Sequence, residues 1–271
     1  MTIRDAATVV LVRDNFEIFF LKRAAGHAFM ANRWVFPGGR LDDRDRDRAL
    51  RDHVDDPALL EGTLGALRVT ALRETFEETG LLLAKHPTTG LPFTGDAPEL
   101  RAAVDDGHLG LARVCQDLAL RLTLSELHFF AHWITPDFEP RRYDTRFFLA
   151  RVPTTTSDTA ESASDETTAG AWLTPQEALQ RYHHGGLLLA PPTIATLEDL
   201  ARFDAVTDAV QAARDARPDP LLPHLLGDAR DPTLLLPGDP DYPAEASVQP
   251  LWESRRMVLE DNRWRSQRRR G

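Results

Sequence analysis

One segment of the chain combines the pattern of an amphipathic helix with a concentration of acidic residues. Over residues 65–79 the apolar side chains recur at helical spacing, which predicts a helix with one buried side, and Gly80 is a suitable residue to end it. Glu74, Glu77 and Glu78 stand at i, i+3 and i+4, so they share one face within a single turn. Three carboxylates this close repel one another, which is destabilising unless a cation lies among them.

A glycine-rich turn lies upstream of this helix. The run Trp34-Val35-Phe36 predicts a short strand, which ends at Pro37-Gly38-Gly39. Because glycine has no side chain, Gly38 and Gly39 let the backbone approach another group closely. Carboxylate oxygens are hard ligands suited to Mg²⁺ or Mn²⁺. The turn and the acidic helix together predict a divalent-metal site that handles phosphates.

The charge balance narrows the class of partner. The chain has 271 residues, a formal net charge of −10 and a sequence pI near 5.4. Proteins that bind DNA or RNA usually carry a basic patch, so we expect a small-molecule partner and no nucleic acid. An acidic protein that handles an anionic substrate needs local cations, namely a metal ion and well-placed arginines.

Targeting signals and cysteine content bear on location. No apolar run is long enough to span a membrane, and residues 1–12 lack the basic start and cleavage site of a signal peptide. We therefore expect no membrane contact. The single cysteine, Cys115, allows no internal disulfide and is typical of a reducing compartment. These features favour a cytoplasmic protein.

Strand patterns and helix patterns alternate along the chain. Apolar runs at residues 6–11 and 16–21 predict a hairpin, and aromatic runs at 127–134 and 146–152 predict two further strands. His128 and His132 are expected on the polar face of that sheet. Because hairpins interrupt the alternation, we expect an α+β fold, an α-β-α sandwich with a mixed sheet, rather than a regular βαβ array.

Further helices and loops complete the predicted organisation. Thr174 and Pro175 suit the N-cap and first position of a helix, and residues 193–214 and 252–264 are also expected to be helical. Residues 41–56 predict a loop or an exposed helix. We expect one domain over residues 1–190, with residues 191–271 as a helical and Pro-rich extension packed on it.

The turn and the acidic helix together resemble the Nudix box, the signature of hydrolases that cleave nucleoside diphosphates linked to another moiety. The segment that begins at Arg73 matches the second half, Arg-Glu-apolar-any-Glu-Glu-any-Gly-apolar, except that Thr75 replaces an aliphatic residue. Gly39 matches the box glycine, but residues 44–64 are inserted before Arg73. Asp45 stands at the position of the box's early glutamate, counted from Gly39.

A box interrupted in this way resembles one branch of the family, the acyl-CoA diphosphatases. Other segments similar to that branch are Phe29-Met30, Trp133-Ile134-Thr135-Pro136, residues 141–148 and residues 235–240. The family's CoA motif has a counterpart in Arg23-Ala24 followed by residues 36–39. Ala28 and Asn32 replace the motif's second arginine and its glycine.

The resemblance implies roles for the box residues. Glu74, Glu77 and Glu78 would hold the metal ion, aided by the carbonyl group of Gly39. Arg73 would pair with Glu77 at i, i+4 and hold it in place. The three glutamates and Arg73 are therefore the expected catalytic group.

Residues outside the box are candidates for the remaining roles. A carboxylate from a later loop often supplies a ligand or base in this family, and Glu166 is the candidate here, although an acidic loop is also an ordinary surface feature. Phosphate contacts require forked donors or an open backbone. The candidates are Arg23, Arg40, Arg141, Arg142 and Gly38.

The resemblance implies Mg²⁺- or Mn²⁺-dependent hydrolysis of CoA or acyl-CoA, with a phosphopantetheine fragment and adenosine 3′,5′-bisphosphate as products. The first alternative is the same chemistry on an ADP-sugar or a dinucleotide. The second is a Nudix-like domain that binds a nucleotide without cleaving it, and the three intact glutamates argue against it. The oligomeric state stays open, with a homodimer as one option.

Overall fold

The structure is a computed structural model that describes residues 2–25, 31–154, 167–227, 232–243 and 255–268. Its strands are β1 (Arg4–Val12), β2 (Ile18–Arg23), β3 (Trp34–Val35), β4 (Gly38–Arg40), β5 (Ala84–Lys85), β6 (Arg121–Leu122), β7 (His128–Ile134), β8 (Tyr143–Arg151), β9 (Thr167–Leu173), β10 (His224–Leu226), β11 (Thr233–Leu235), β12 (Arg255–Glu260) and β13 (Arg263–Arg268). Its α-helices are α1 (Gly62–Thr79), α2 (Pro98–Asp105), α3 (Leu111–Leu118), α4 (Pro175–His183), α5 (Pro191–Leu200) and α6 (Val206–Asp215). Within these ranges no helix combines the length and the apolar character that crossing a membrane requires.

The central sheet is mixed, as the sequence patterns predict. Its strands run in the order β3-β2-β1-β8-β7, while β4 also pairs with β1 and β9 also pairs with β2. β1 and β8 are parallel along their full length, from Arg4 opposite Tyr143 to Val12 opposite Arg151. The other described pairings in this sheet are antiparallel. The parallel pair thus forms the centre of the sheet, and the hairpin β1-β2 extends it on one side.

The glycine turn is attached to the sheet through β4. Gly39 lies opposite Ala7, Ala7 lies opposite Arg146, and Arg146 lies opposite His132. These residues form one row across β4, β1, β8 and β7, in which neighbouring strands are about 4.8 Å apart. The row brings side chains of β8 and β7 onto the same part of the sheet as the turn.

Apolar side chains alternate along β1 between two cores. Ala7, Val9 and Leu11 belong to a core shared with α1, α2 and α3, whereas Val10 and Val12 belong to a core shared with α4, α5 and α6. This division follows from the two-residue period of a strand, which sends successive side chains to opposite faces. The sheet is therefore covered on both faces, and the expected α-β-α sandwich is confirmed.

The insertion within the acidic box packs into the protein. It contains short 3₁₀ helices at Asp43–Arg46, Arg48–His53 and Pro57–Leu60. Leu50 and Val54 are buried in the core shared with α1, and the side chain of Asp55 accepts hydrogen bonds from Ser125. The expectation of a loop or an exposed helix over residues 41–56 holds for most of the segment, which is largely exposed, but Leu50 and Val54 are taken into the core.

The last described segment is a β-hairpin, where the sequence patterns predict a helix. β12 and β13 pair as far as Glu260 opposite Arg263, and they join β10 and β11 in a four-stranded sheet. Asp261 and Asn262, between the two strands, both have positive φ angles of 51° and 59°. A two-residue turn of this kind matches the right-handed twist of paired strands. The Asp261-Asn262 pair is thus a local hairpin signal, and the helix predicted for residues 252–264 is wrong in the described residues.

Two other features distinguish the C-terminal part. The expected helix over residues 193–214 is two helices, α5 and α6, which are separated by residues 201–205. Arg256 of β12 is buried and donates hydrogen bonds to Asp239 at 2.8 Å and to Asp241 at 2.6 Å. This ion pair fixes the four-stranded sheet to the turn that follows β11.

The histidines of β7 are buried, which corrects their expected place on a polar face. His128 and His132 are each 8% exposed. His128 Nε2 accepts a hydrogen bond from Arg214 of α6 at 3.4 Å, and His132 Nε2 lies 2.5 Å from Asp144 Oδ1. Coverage by a distant helix and pairing across strands account for the burial, and neither is visible in a strand pattern.

The burial of His128 predicts a pH dependence of stability. Burial, with Arg214 and Arg68 nearby, lowers the pKa of His128 to about 4, against about 6.5 in the unfolded chain. The unfolded chain therefore binds more protons between these values, so stability falls as the pH falls from 6.5 to 4. We expect His128→Gln to remove about 2 kcal/mol of the stability loss between pH 7.5 and pH 4.5, measured by urea unfolding.

The exposed His183 of α4 provides the matched control. Each variant changes a single histidine, so its difference from the wild type isolates the contribution of that residue. His183→Gln should reproduce the wild-type dependence. An unchanged dependence in His128→Gln would contradict the assignment.

Candidate active site

The C-terminal half of α1 lies against the glycine turn. The Gly38 N–H donates a hydrogen bond to Glu78 Oε2 at 2.9 Å. Glu74 lies so close to Gly39 that a Cβ on that residue would stand 2.3 Å from Glu74 Oε1. At Gly38, whose φ is +155°, a Cβ would stand 2.3 Å from the carbonyl oxygen of Ala7. Both glycines are therefore required for the close approach of sheet, turn and helix.

Arg73 connects the acidic residues of the site. It is 3% exposed, and its three nitrogens donate to Asp45 at 2.7 and 3.0 Å, to Glu74 at 2.8 Å, to Glu77 at 2.7 Å and to the Arg40 carbonyl at 2.9 Å. Burial by itself would lower the pKa of Arg73, but the hydrogen bond to Asp45 and the three carboxylates outweigh it and raise that pKa. Arg73 is thus a permanent cation that holds two box glutamates and the end of β4.

Asp45, which stands at the spacing of the box's early glutamate from Gly39, lies in the 3₁₀ helix Asp43–Arg46. It is 2% exposed. Besides its two bonds to Arg73, its Oδ2 accepts hydrogen bonds from Thr70 Oγ1 at 2.8 Å and from the backbone N–H of Asp42 at 2.9 Å. The 3₁₀ helix Asp43–Arg46 therefore brings this carboxylate onto α1, where it pairs with Arg73.

Glu77 is held by two arginines. Arg73 Nη1 lies 2.7 Å from Glu77 Oε2, as the i, i+4 spacing predicts, and Arg44 Nη2 lies 3.1 Å from Glu77 Oε1. Burial and the neighbouring Glu74 raise the pKa of Glu77 to about 7, although both arginines oppose the shift. The sequence indicated Arg73 as a partner, but Arg44 was not among the candidates.

The oxygen atoms assembled here suit a divalent cation. Glu74 and Glu78 converge on the Gly38–Gly39 backbone, and Arg73 Nη1 contacts both Glu74 and Glu77. Among the described residues, no three His, Cys, Asp or Glu side chains already form a complete metal-binding group. The donor set nevertheless fits, because hard carboxylate oxygens beside an open glycine backbone are what Mg²⁺-like ions bind.

The predicted phosphate-binding residues lie at different distances from this centre. Arg40 is exposed and directly follows Gly39 on β4. Arg23 is half-buried at the end of β2, and its backbone N–H donates to the Arg33 carbonyl at 3.0 Å. Arg40 is therefore beside the glutamates, whereas Arg23 is on a neighbouring strand.

The candidates between β7 and β8 lie further away. Arg141 is exposed, while Arg142 Nε donates to the Thr135 carbonyl at 2.9 Å. The backbone of Arg142 pairs with Arg4, three residues from Ala7 along β1. Glu166 lies outside the described residues.

The strands β1, β7 and β8 carry a polar network that the sequence patterns do not indicate. Arg146 Nη1 lies 2.5 Å from Asp144 Oδ1 and 3.2 Å from Asp5 Oδ1, and Asp144 also contacts His132. By strand register these residues share the sheet face that α1 covers, and Arg146 is about 10 Å from Gly39. No sequence signal could have grouped them, since the grouping depends on which strands pair.

Comparison with known proteins identifies the family. The model of the NUDT19 Nudix domain matches residues 52–202, more than half of the chain. The chain is 28% identical over 305 residues to the acyl-coenzyme A diphosphatase NUDT19 of Gallus gallus, an alignment that covers 89% of this chain and 80% of that protein. Its identity to the Homo sapiens protein of the same name is 28% over 281 residues, with 84% and 73% covered.

A solved structure has a similar fold. The NUDIX hydrolase from Alicyclobacillus acidocaldarius superposes with a TM-score of 0.66 at 30% identity, covering 78% of this chain and 96% of that one. Nudix hydrolases generally use divalent metal ions, in agreement with the oxygen-rich site. The split box, the Arg73-centred carboxylates and these similarities together place the chain in the Nudix hydrolase family, within the group described by the NUDT19 Nudix domain.

Proposed function

We propose that the protein is a CoA or acyl-CoA diphosphatase that requires Mg²⁺ or Mn²⁺. Water would be added across the diphosphate bond, with adenosine 3′,5′-bisphosphate and (acyl-)phosphopantetheine as products. The observation that carries the substrate is the similarity to two relatives named acyl-coenzyme A diphosphatase over most of the chain. The glutamates gathered at Gly38 and Gly39 support the diphosphatase chemistry.

The box residues have complementary roles in this proposal. Glu74, Glu77 and Glu78, with the Gly39 carbonyl, would hold the ion. A bound divalent ion supplies positive charge against the diphosphate oxygens and makes water a better nucleophile. Arg73 would keep two of these carboxylates in place through its contacts of 2.8 and 2.7 Å.

Other residues would bind the substrate and move the proton. Arg40, next to the metal-binding glycine, is the nearest phosphate ligand in the proposal, and Arg23, Arg141 and Arg142 would bind more distant groups. Glu166 is retained as the proposed additional ligand or base.

The extension and the location complete the proposal. Residues 1–190 would form the catalytic domain and residues 191–271 an extension packed on it. The packing is supported by α5 and α6, which share a core with one face of the sheet. A cytoplasmic location agrees with a single cysteine, the buried Cys115.

A substrate panel tests the proposed activity. CoA, an acyl-CoA, ADP-ribose and NADH are each incubated with the protein and Mg²⁺ or Mn²⁺, and the products are separated by liquid chromatography and identified by mass. We expect adenosine 3′,5′-bisphosphate from CoA and acyl-CoA, at a higher kcat/KM than for the other two compounds. Faster cleavage of ADP-ribose or NADH would refute the CoA assignment, and no turnover of any compound would refute the enzyme.

A further inference from the structure

Arg44 is placed between two parts of the molecule that are distant in sequence. It belongs to the 3₁₀ helix Asp43–Arg46, next to Asp45. Its Nη2 donates to Glu77 Oε1 at 3.1 Å, and its Nη1 donates to the carbonyl oxygen of Val104 in α2. A single guanidinium thus joins the catalytic helix to α2.

Both oxygens of Glu77 are engaged, each by a different arginine. Arg73, from the same helix, takes Oε2, and Arg44, from the insertion, takes Oε1. A glutamate side chain has several rotatable bonds, and two donors from separate elements restrict it to one orientation. Each carboxylate oxygen can accept more than one contact, so these bonds leave room for a metal ion.

The base of Arg44 is itself held in place. Asp45 anchors the 3₁₀ helix to Arg73 on one side. Further along the insertion, Leu50 and Val54 are buried in the core. Arg44 therefore projects from a segment fixed at both ends, and its orientation is set before any ligand arrives.

We propose that Arg44 is a positioning residue for the metal site. Its guanidinium holds the carboxylate of Glu77 in one orientation while it also donates a hydrogen bond to α2. The inference rests on the proposed function, because the role of Glu77 as a metal ligand is part of that proposal. It goes beyond the Nudix box, whose pattern specifies no arginine at this position. In this proposal the first turn of the insertion supplies a second arginine that holds Glu77, in addition to Arg73 of the box.

A lysine at position 44 distinguishes a positioning role of Arg44 from an effect of its positive charge alone. Lysine would keep the positive charge but has a single nitrogen and no planar fork, so it cannot hold Glu77 and the Val104 carbonyl in the same way. Arg46 lies in the same 3₁₀ helix and is exposed. Arg46→Gln therefore makes the same charge change without touching the site.

The test measures metal binding without substrate. Binding of Mn²⁺ to the full-length wild type, Arg44→Gln, Arg44→Lys and Arg46→Gln is followed by electron paramagnetic resonance of free Mn²⁺, and thermal unfolding is recorded in EDTA. Loss of a residue that orients a metal ligand typically weakens metal binding 10- to 100-fold. We expect the affinity for Mn²⁺ to fall at least about tenfold in both Arg44 variants and to change by less than about twofold in Arg46→Gln. The Arg44 variants should also need a higher Mn²⁺ concentration for half-maximal activity.

The outcomes separate this inference from the proposed function. Wild-type affinity in Arg44→Lys would overturn the positioning role, since charge alone would then suffice, and this variant decides the question if Arg44→Gln does not fold. An equal loss in Arg46→Gln would overturn it as well. If the wild type cleaves CoA while both Arg44 variants bind Mn²⁺ normally, the inference fails and the function stands. If the wild type cleaves no compound of the substrate panel, that result refutes the proposed function independently of the Mn²⁺ measurements.

Discussion

Glu78→Gln is expected to lower kcat/KM for acyl-CoA hydrolysis by about a thousandfold or more, with little change in stability. Glu78 Oε2 accepts a hydrogen bond from the Gly38 N–H, so the carboxylate lies at the turn where the proposed ion would be held. Glutamine keeps the size and one oxygen but removes the negative charge that binds a divalent ion. The loss should appear in steady-state kinetics with saturating Mg²⁺ and in calorimetric titration with Mn²⁺.

Glu99 of α2 gives a matched control, because it is exposed and outside the site. Glu99→Gln should keep wild-type kinetics, and both variants should unfold within a few degrees of the wild type. Near-normal turnover in a folded Glu78→Gln would show that this glutamate is not a metal ligand, and the proposed arrangement would have to be abandoned.

Asp45→Ala is expected to lower the free energy of unfolding by about 3–5 kcal/mol and to abolish activity. Asp45 and Arg73 are buried and joined by two hydrogen bonds of 2.7 and 3.0 Å. Removing one partner leaves a buried guanidinium with its charge only partly compensated by Glu74 and Glu77. The Thr70 hydroxyl also loses its side-chain acceptor. Urea unfolding measures the first effect and steady-state kinetics the second.

Asp43 and a longer acid serve as comparisons for this variant. Asp43 is exposed in the same 3₁₀ helix, so Asp43→Ala should change stability by less than about 0.5 kcal/mol. Asp45→Glu keeps a carboxylate at this position, one methylene longer, and should recover part of both properties. If Asp45→Ala were as stable and active as Asp43→Ala, the buried pair would not support the catalytic helix.

The elements that were predicted correctly have local causes. α1 ends at Gly80, whose φ of 74° is the left-handed conformation that glycine adopts readily. The predicted N-cap of α4 is also correct, since the Thr174 side chain accepts from the Glu177 N–H at 3.2 Å and the Thr174 N–H donates to Glu177 Oε2 at 3.0 Å. Such contacts span three or four residues, so the residue types in a short window are sufficient to indicate them.

The errors arose where contacts are not local. The insertion was expected to be exposed because its residues are mostly charged, but Leu50 and Val54 are taken into a core that the rest of the chain forms. The turn of the C-terminal hairpin has a local signal in Asp261 and Asn262, but its place in a sheet depends on the pairing of β12 with β11, about twenty residues earlier in the chain. Neither the shape of a core nor the choice of strand partners can be read from a short window.

The candidate site shows the same division. The sequence by itself determined the acidic helix, the i, i+4 pair of Arg73 with Glu77 and the family, because these depend on residues within a few positions of one another. Only the tertiary structure decided three contacts. Glu74 packs against Gly39, Arg73 donates a hydrogen bond to Asp45, and Arg44 donates to the Glu77 oxygen that Arg73 does not contact. Those contacts join segments separated by about thirty residues, and they exist because strand pairing and core packing bring the segments together.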